Sequence, residues 1–264
     1  MHLGHAFSAL TAFDLARARG GEFLLRIEDL DPARCKPDFE QAIYDDLHWL
    51  GIRWEEPVVR QSERGLLYAE ALAELDAQGL IYPCRCTRGD IQAALAAPQE
   101  GAARPQTYPG TCRHRSMRDA GPGDAIRLDL AKALTGIADL AFTEEGPLHP
   151  GKHQIDADDL LADEGDIVLQ RRDTGLAAYH LAVVVDDAAQ AITHVVRGDD
   201  LFGATRIQRL LQTRLGLPEP RYHHHDLIRD DHGKRLAKRD DARAIRRYRE
   251  DGLSPADIRR MVGL

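Results

Sequence analysis

The order of elements over the first 32 residues constrains the fold most. Phe7, Leu10 and Phe13 fall at helical spacing within residues 5–18, and Gly20-Gly21 supplies a stop. Phe23-Leu24-Leu25-Arg26-Ile27 then reads as a buried strand that closes in Glu28-Asp29 and the turn Asp31-Pro32. Helix, strand and acidic loop in this order form the unit of a parallel-sheet α/β protein. A chain of 264 residues has room for one large α/β domain carrying a smaller insertion, and little more.

Further along, residues 38–50 and 62–78 read as helices, the second with Ser62 as its N-cap and Gly79 as its stop. From 83 to 122 periodicity fades while Pro, Gly, Cys and Arg rise, as expected of an insertion held by something other than a core. Residues 125–130 and 166–171 read as strands, with Asp173-Thr174-Gly175 a turn. Residues 179–185 and 191–196 are apolar enough to be core, 205–215 is an amphipathic helix, and 240–264 is a helical tail. The expected division is 1–82 and 123–239 for the main α/β domain, 83–122 for the insertion and 240–264 for the tail.

The longest clean apolar stretch, residues 181–185, is far too short to cross a bilayer, and Asp14, Arg17 and Arg19 break any signal-peptide pattern, so a cytoplasmic protein with no membrane partner is expected. A net charge of −8 argues against binding nucleic acid over the whole surface. Residues 234–249 run against that balance, with eight Lys or Arg and two Asp. Four cysteines, two of them one residue apart, fit a metal site in a reducing compartment better than a disulfide framework.

His2-Leu3-Gly4-His5 stands directly before the first helix, where free N–H groups and the helix dipole favour anions. Two histidines around a glycine let the backbone approach a triphosphate while the rings donate to charge that develops in the reaction. His223-His224-His225 does not read as a metal site, because adjacent residues on a strand alternate faces.

Taken with Arg235-Leu236-Ala237-Lys238-Arg239, the histidine motif resembles the paired signatures of class I aminoacyl-tRNA synthetases, in which a late basic loop closes on the ATP phosphates. Between them, Leu25-Arg26-Ile27-Glu28-Asp29-Leu30-Asp31-Pro32 and Val195-Val196-Arg197-Gly198-Asp199-Asp200-Leu201 resemble blocks of the glutamate branch. The chain ends 25 residues after Arg239, without the anticodon-binding half of full-length glutamyl-tRNA synthetases, and in this it resembles the short glutamyl-Q tRNA(Asp) synthetase family.

That resemblance implies a Rossmann-like parallel-sheet catalytic domain with a zinc-bearing insertion. It implies a monomer that activates L-glutamate with Mg-ATP, without tRNA, and transfers it to queuosine in the anticodon stem-loop of tRNA(Asp). His2, Gly4, His5 and Lys238 would serve ATP, with His2, His5 and Lys238 catalytic through electrostatics and position. Arg197 would meet the glutamate side chain, Glu28 its ammonium and Tyr179 a further hydrogen bond, all three at the ends of expected strands. Cys84, Cys86, Tyr108 and Cys112 would hold one structural zinc. Ligand chemistry alone selects His114 over Tyr108 as the fourth ligand, because a phenol has a reference pKa of about 10.

Two features depart from the family. Its members begin with a strand and an Arg- and Ser-bearing loop before the histidine motif, whereas Met1 directly precedes His2; the expectation is that this first strand is missing and that the natural start lies upstream. Ala237 replaces the usual serine of the basic loop, from which a modest rate loss is expected.

Overall fold

In a computed structural model, which describes residues 1–96, 107–228 and 243–264, the histidine motif opens the first helix, α1 (Leu3–Ala18). His2 is its N-cap: Nδ1 of His2 accepts from the N–H of Gly4 at 3.1 Å, and the His2 N–H donates to Nδ1 of His5 at 3.3 Å. Leu3, Ala6, Leu10 and Phe13 form the buried stripe of α1, facing Leu47, Leu50 and Ile52 and the tail residues Ile245, Ile258 and Val262. Those tail residues lie on α9 (Ile245–Glu250) and α10 (Pro255–Val262).

Strand β1 (Leu24–Ile27) pairs in parallel with β2 (Glu55–Arg60), the connection being α2 (Pro37–Trp49). Sequence reading did not anticipate β2, since Pro57 removes a ladder donor, a loss an edge strand tolerates. The next helix, α3 (Gly65–Ala77), starts later than expected. Ser62 does not cap it; its hydroxyl donates to Asp29 at 2.6 Å and its N–H at 2.8 Å, a charged acceptor that outcompetes a helix terminus.

A four-stranded sheet carries Arg197. Its order is β6 (Gly151–Gln154), β5 (Ala141–Glu144), β9 (Arg221–His225), β8 (His194–Gly198), with β5, β9 and β8 mutually parallel and β6 antiparallel at the edge. Parallel register sets Arg197 opposite His224. After the short helices α4 (Arg88–Ala96), α5 (Leu130–Leu134) and α6 (Ala157–Asp163), helices α7 (Tyr179–Ala189) and α8 (Ala204–Arg214) pack on one another, and α1 packs on β8. Tyr179, expected at a strand end, instead opens α7, where the buried run from Leu181 to Asp186 is helical; a short apolar run does not by itself separate the two.

The third sheet is antiparallel, β3 (Ile81–Cys84), β4 (Ala125–Leu128) and β7 (Val168–Gln170), and it roots residues 83–122 in the domain. That segment is not wholly without a core, because Tyr82, Cys84, Tyr108, Cys112 and Ala125 form a small buried cluster. Among the described residues no helix is long and apolar enough to cross a membrane.

Candidate active site

The rings of His2 and His5 stack with centroids 3.7 Å apart at the N-terminus of α1. In each, Nδ1 accepts a backbone N–H, so the neutral ring carries its proton on Nε2 and acts as a donor there. Gly4 makes this possible: a Cβ at that position would come within 3.1 Å of Cε1 of His2. Residues 235–239, expected to complete the phosphate site, lie outside the described residues. The chain flanking them is anchored beside the histidine motif. Ser8 on α1 bonds His225 at the end of β9, Ala244 bridges His2, and the N–H of Ile245 donates to the carbonyl of Met1 at 2.9 Å.

Arg197 contacts the Tyr179 hydroxyl at 3.4 Å, and Glu28 is near enough for its charge to reach the same hydroxyl. Arg197 is 9% exposed. Its Nε donates to Nε2 of His224 at 3.0 Å, Nη1 to Oε1 of Gln208 at 2.8 Å and to the Tyr179 hydroxyl at 3.4 Å, and Nη2 to Thr205 at 2.7 Å. Four of the five guanidinium N–H groups are thus engaged, all by neutral acceptors, and no carboxylate among the described residues lies within ion-pair distance. Tyr179 is 37% exposed, yet the protein packed around its phenol raises it by loss of solvent; Arg197 opposes the rise and Glu28 adds to it, so both charges reach this hydroxyl. Tyr179 remains a neutral donor.

The Glu28 side chain is 45% exposed, yet protein surrounds it, so loss of solvent raises its carboxyl against the pull of Arg26 at 3.5 Å. Arg26 is fixed by Asp187 at 2.9 Å and Gln190 at 3.0 Å. Next to Tyr179, Nδ1 of His180 is buried with no hydrogen-bond partner among the described residues, and burial pushes this ring down to about 4.

Sequence reasoning missed several residues around Arg197. Thr205 and Gln208 are buried polar groups three apart on the apolar face of α8, which is the signal that could have found them. The Gln208 amide oxygen is held by Arg197, and its buried nitrogen meets no hydrogen-bond partner among the described residues that satisfies full hydrogen-bond geometry, although it bears on the Tyr179 hydroxyl. His224 belongs to the three-histidine run set aside as strand, and Nδ1 of its ring lies 2.5 Å from Oε2 of Glu144. Burial works to raise Glu144, but bonds from the His224 ring and from the N–H groups of His224 and Gly146 hold it below the usual glutamate range. Burial pushes His224 down more than Glu144 pulls it up, leaving a neutral imidazole beside a carboxylate.

The thiols of Cys84, Cys86 and Cys112 lie within 4.8 Å of one another. The Tyr108 hydroxyl is 3.3 Å from Sγ of Cys84 and 3.5 Å from Sγ of Cys86, and Cys86 is 3.6 Å from Cys112. Tyr108 is buried, with Arg127 4.0 Å above its ring, whereas His114 is exposed. Burial pushes the Cys86 thiol up to about 11 and raises the phenol; Cys112 is held low against its own burial by hydrogen bonds from Tyr108 and its neighbours. Three soft donors at this spacing can hold a metal ion.

Surface grooves of about 540 Å³, beside Met117 and Arg172, and about 440 Å³, beside Tyr44 and Trp54, lie apart from these clusters.

Residues 1–264 match the family model described as tRNA synthetases class I (E and Q), catalytic domain. The chain thus belongs to the class I tRNA synthetases, a family of ligase-type enzymes. It is 56% identical over 272 residues to glutamyl-Q tRNA(Asp) synthetase of Rhodobacter capsulatus, covering 100% of this chain and 96% of that one. It is 42% identical over 256 residues to the protein of the same name in Albidiferax ferrireducens, covering 93% and 82%. The crystal structure of glutamate-tRNA synthetase from Elizabethkingia anophelis superposes with a TM-score of 0.73 at 26% identity. That match covers 96% of this chain but 52% of the other, so this chain spans about half of that synthetase.

Proposed function

We propose that the enzyme activates L-glutamate with ATP, without tRNA, and transfers it to the queuosine base in the anticodon of tRNA(Asp). The observation that carries this reading is Arg197: a buried guanidinium, held by neutral acceptors, with a donor to spare in a cleft shared with Tyr179 and Glu28. A glutamate side-chain carboxylate supplies the missing anion, and Glu28 receives the ammonium. The names of the relatives agree with that substrate and with tRNA(Asp) as acceptor.

In the first step an α-carboxylate oxygen of glutamate bonds to the α-phosphorus as the bridge to the β-phosphate breaks and pyrophosphate leaves. His2 and His5 donate through Nε2 to the phosphate oxygens, and the N-terminus of α1 adds its dipole. Lys238 supplies the remaining positive charge; anchoring of the flanking chain at Ser8 and His2 supports this role. In the second step a queuosine hydroxyl attacks the acyl carbon and AMP leaves. Cys84, Cys86, Cys112 and Tyr108 hold a structural zinc, with Tyr108 favoured over His114 by its place among the thiols.

Transfer of labelled glutamate to tRNA(Asp) with and without queuosine tests the acceptor. Labelling of the modified tRNA alone is expected; labelling at the 3′ end of tRNA(Glu) instead would replace this reading with that of a shortened glutamyl-tRNA synthetase.

A further inference from the structure

Behind Arg197 three parallel strands place a carboxylate, an imidazole and the guanidinium in line. Glu144 ends β5, His224 lies on β9 and Arg197 lies opposite it on β8. Glu144 is 2% exposed and His224 is fully buried. Oε2 of Glu144 meets Nδ1 of His224 at 2.5 Å, and Nε2 of the same ring meets Nε of Arg197 at 3.0 Å. The other carboxylate oxygen accepts the N–H of His224 at 2.9 Å and that of Gly146 at 2.6 Å. Gly146 has no substitute here, because a Cβ would overlap both the His224 carbonyl and the Glu144 carboxylate. The His224 ring is flanked by Phe202, centroids 5.2 Å apart, and Tyr222, 6.1 Å apart, so it is held in place as well as bonded.

The donor and acceptor roles follow from this geometry. Arg197 can only donate, so Nε2 of His224 must accept; Nδ1 then carries the proton and gives it to Glu144. Glu144 thereby fixes one tautomer, and through it the guanidinium plane, while standing one imidazole away from the cation. A carboxylate placed directly on Arg197 would compete for the donors that face the cleft. One placed behind His224 offsets the buried charge and leaves those donors for a ligand.

We propose that Glu144 and His224 are positioning residues that aim Arg197 and make the cleft select a carboxylate side chain over the corresponding amide. This deepens the functional reading above and rests on it. The orientation of Glu144 makes it testable by an isosteric change. In Glu144→Gln the amide oxygen stays with the N–H groups of His224 and Gly146, so the NH2 faces Nδ1. His224 must then accept there and carry its proton on Nε2, directly against the N–H of Arg197, and the aim of the guanidinium is lost although the shape of the core is kept.

The test is amino-acid-dependent pyrophosphate exchange by wild type, Glu144→Gln and His224→Gln, with KM measured separately for glutamate and ATP. Loss of one charge-assisted bond corresponds to about tenfold. For Glu144→Gln the expected result is a rise of about tenfold or more in the KM for glutamate, with the KM for ATP within about twofold and weaker discrimination against glutamine. His224→Gln, which offers Arg197 an acceptor but breaks the link to Glu144, is expected to raise the same KM. A glutamate KM unchanged in both variants, with wild type active, would overturn this inference alone. No glutamate-dependent exchange by wild type would overturn the functional reading and this inference with it. Long-range proton–nitrogen NMR on the wild-type protein, with His224→Gln identifying the signal, needs no altered fold: the Nδ1-protonated tautomer is expected, and the Nε2-protonated form would overturn the relay.

Discussion

A single short hydrogen bond, 2.6 Å from Oγ of Ser8 to Nε2 of His225, ties the helix that presents His2 and His5 to the strand that leads into the basic segment. Nδ1 of His225 faces the carbonyl of Asp226 at 2.8 Å, so the ring proton sits there and Nε2 accepts from the serine hydroxyl. Phe7 packs edge-on against the same imidazole, with centroids 4.7 Å apart. Ser8→Ala leaves this ring nitrogen without its donor. The expected cost is about 1 kcal/mol, or about 2–4 °C in Tm, with a several-fold fall in the exchange rate. Thermal denaturation and exchange kinetics measured together check both.

At the thiol cluster the rival fourth ligands make opposite demands. Tyr108→Phe is expected to weaken zinc retention and lower Tm, because the phenol oxygen is the atom lying among the sulfurs. His114→Ala is expected to change neither. Zinc content by elemental mass spectrometry after mild chelation decides between them; metal lost from the histidine variant and kept in the tyrosine variant would restore the choice made by ligand chemistry alone.

His180 gives the fold a pH dependence with a definite sign. Its ring is pushed down to about 4 by burial, against an ordinary histidine value of about 6.5. The unfolded chain therefore binds the proton first. Its contribution is fully present above about 6.5 and is lost as pH falls toward about 4. Stability is expected to drop through that window, and His180→Asn to flatten the slope, read by denaturant unfolding at stepped pH. An equal slope in both proteins would assign the effect to other groups.

The first helix and strand and the cysteine trio were legible because each is written locally, in apolar spacing or in residue type, whereas Arg197 was marked by the family resemblance of residues 195–201. The register that sets Arg197 opposite His224 was not, since it arises from pairing strands whose partners are distant in sequence. Glu144 was silent for the same reason. Its role depends on a neighbour 80 residues away. Ser62 misled because a hydroxyl before a helix reads as a cap whether or not a stronger acceptor such as Asp29 is brought near by the fold. Tyr179 was placed at a strand end because five apolar residues fit a buried helix equally well.

On the basic stretch, Arg247 is paired with Glu250 at 2.8 Å, while Arg246 is exposed and makes no ion pair among the described residues. Arg246→Glu is therefore the more direct probe of an RNA-facing role. It is expected to weaken transfer to tRNA(Asp) several-fold and increasingly with salt, and to leave adenylate formation untouched. An equal loss in both steps would place Arg246 in the fold and not at the tRNA.

Exchange of labelled pyrophosphate into ATP, with glutamate and without tRNA, most directly tests whether this cleft activates glutamate. The expected result is labelled ATP with glutamate, little with glutamine or aspartate, and a loss of about a hundredfold or more in Arg197→Ala, where a buried charged partner of the substrate is removed. No exchange with glutamate, or equal exchange with glutamine, would contradict the role given to Arg197 and the function built on it.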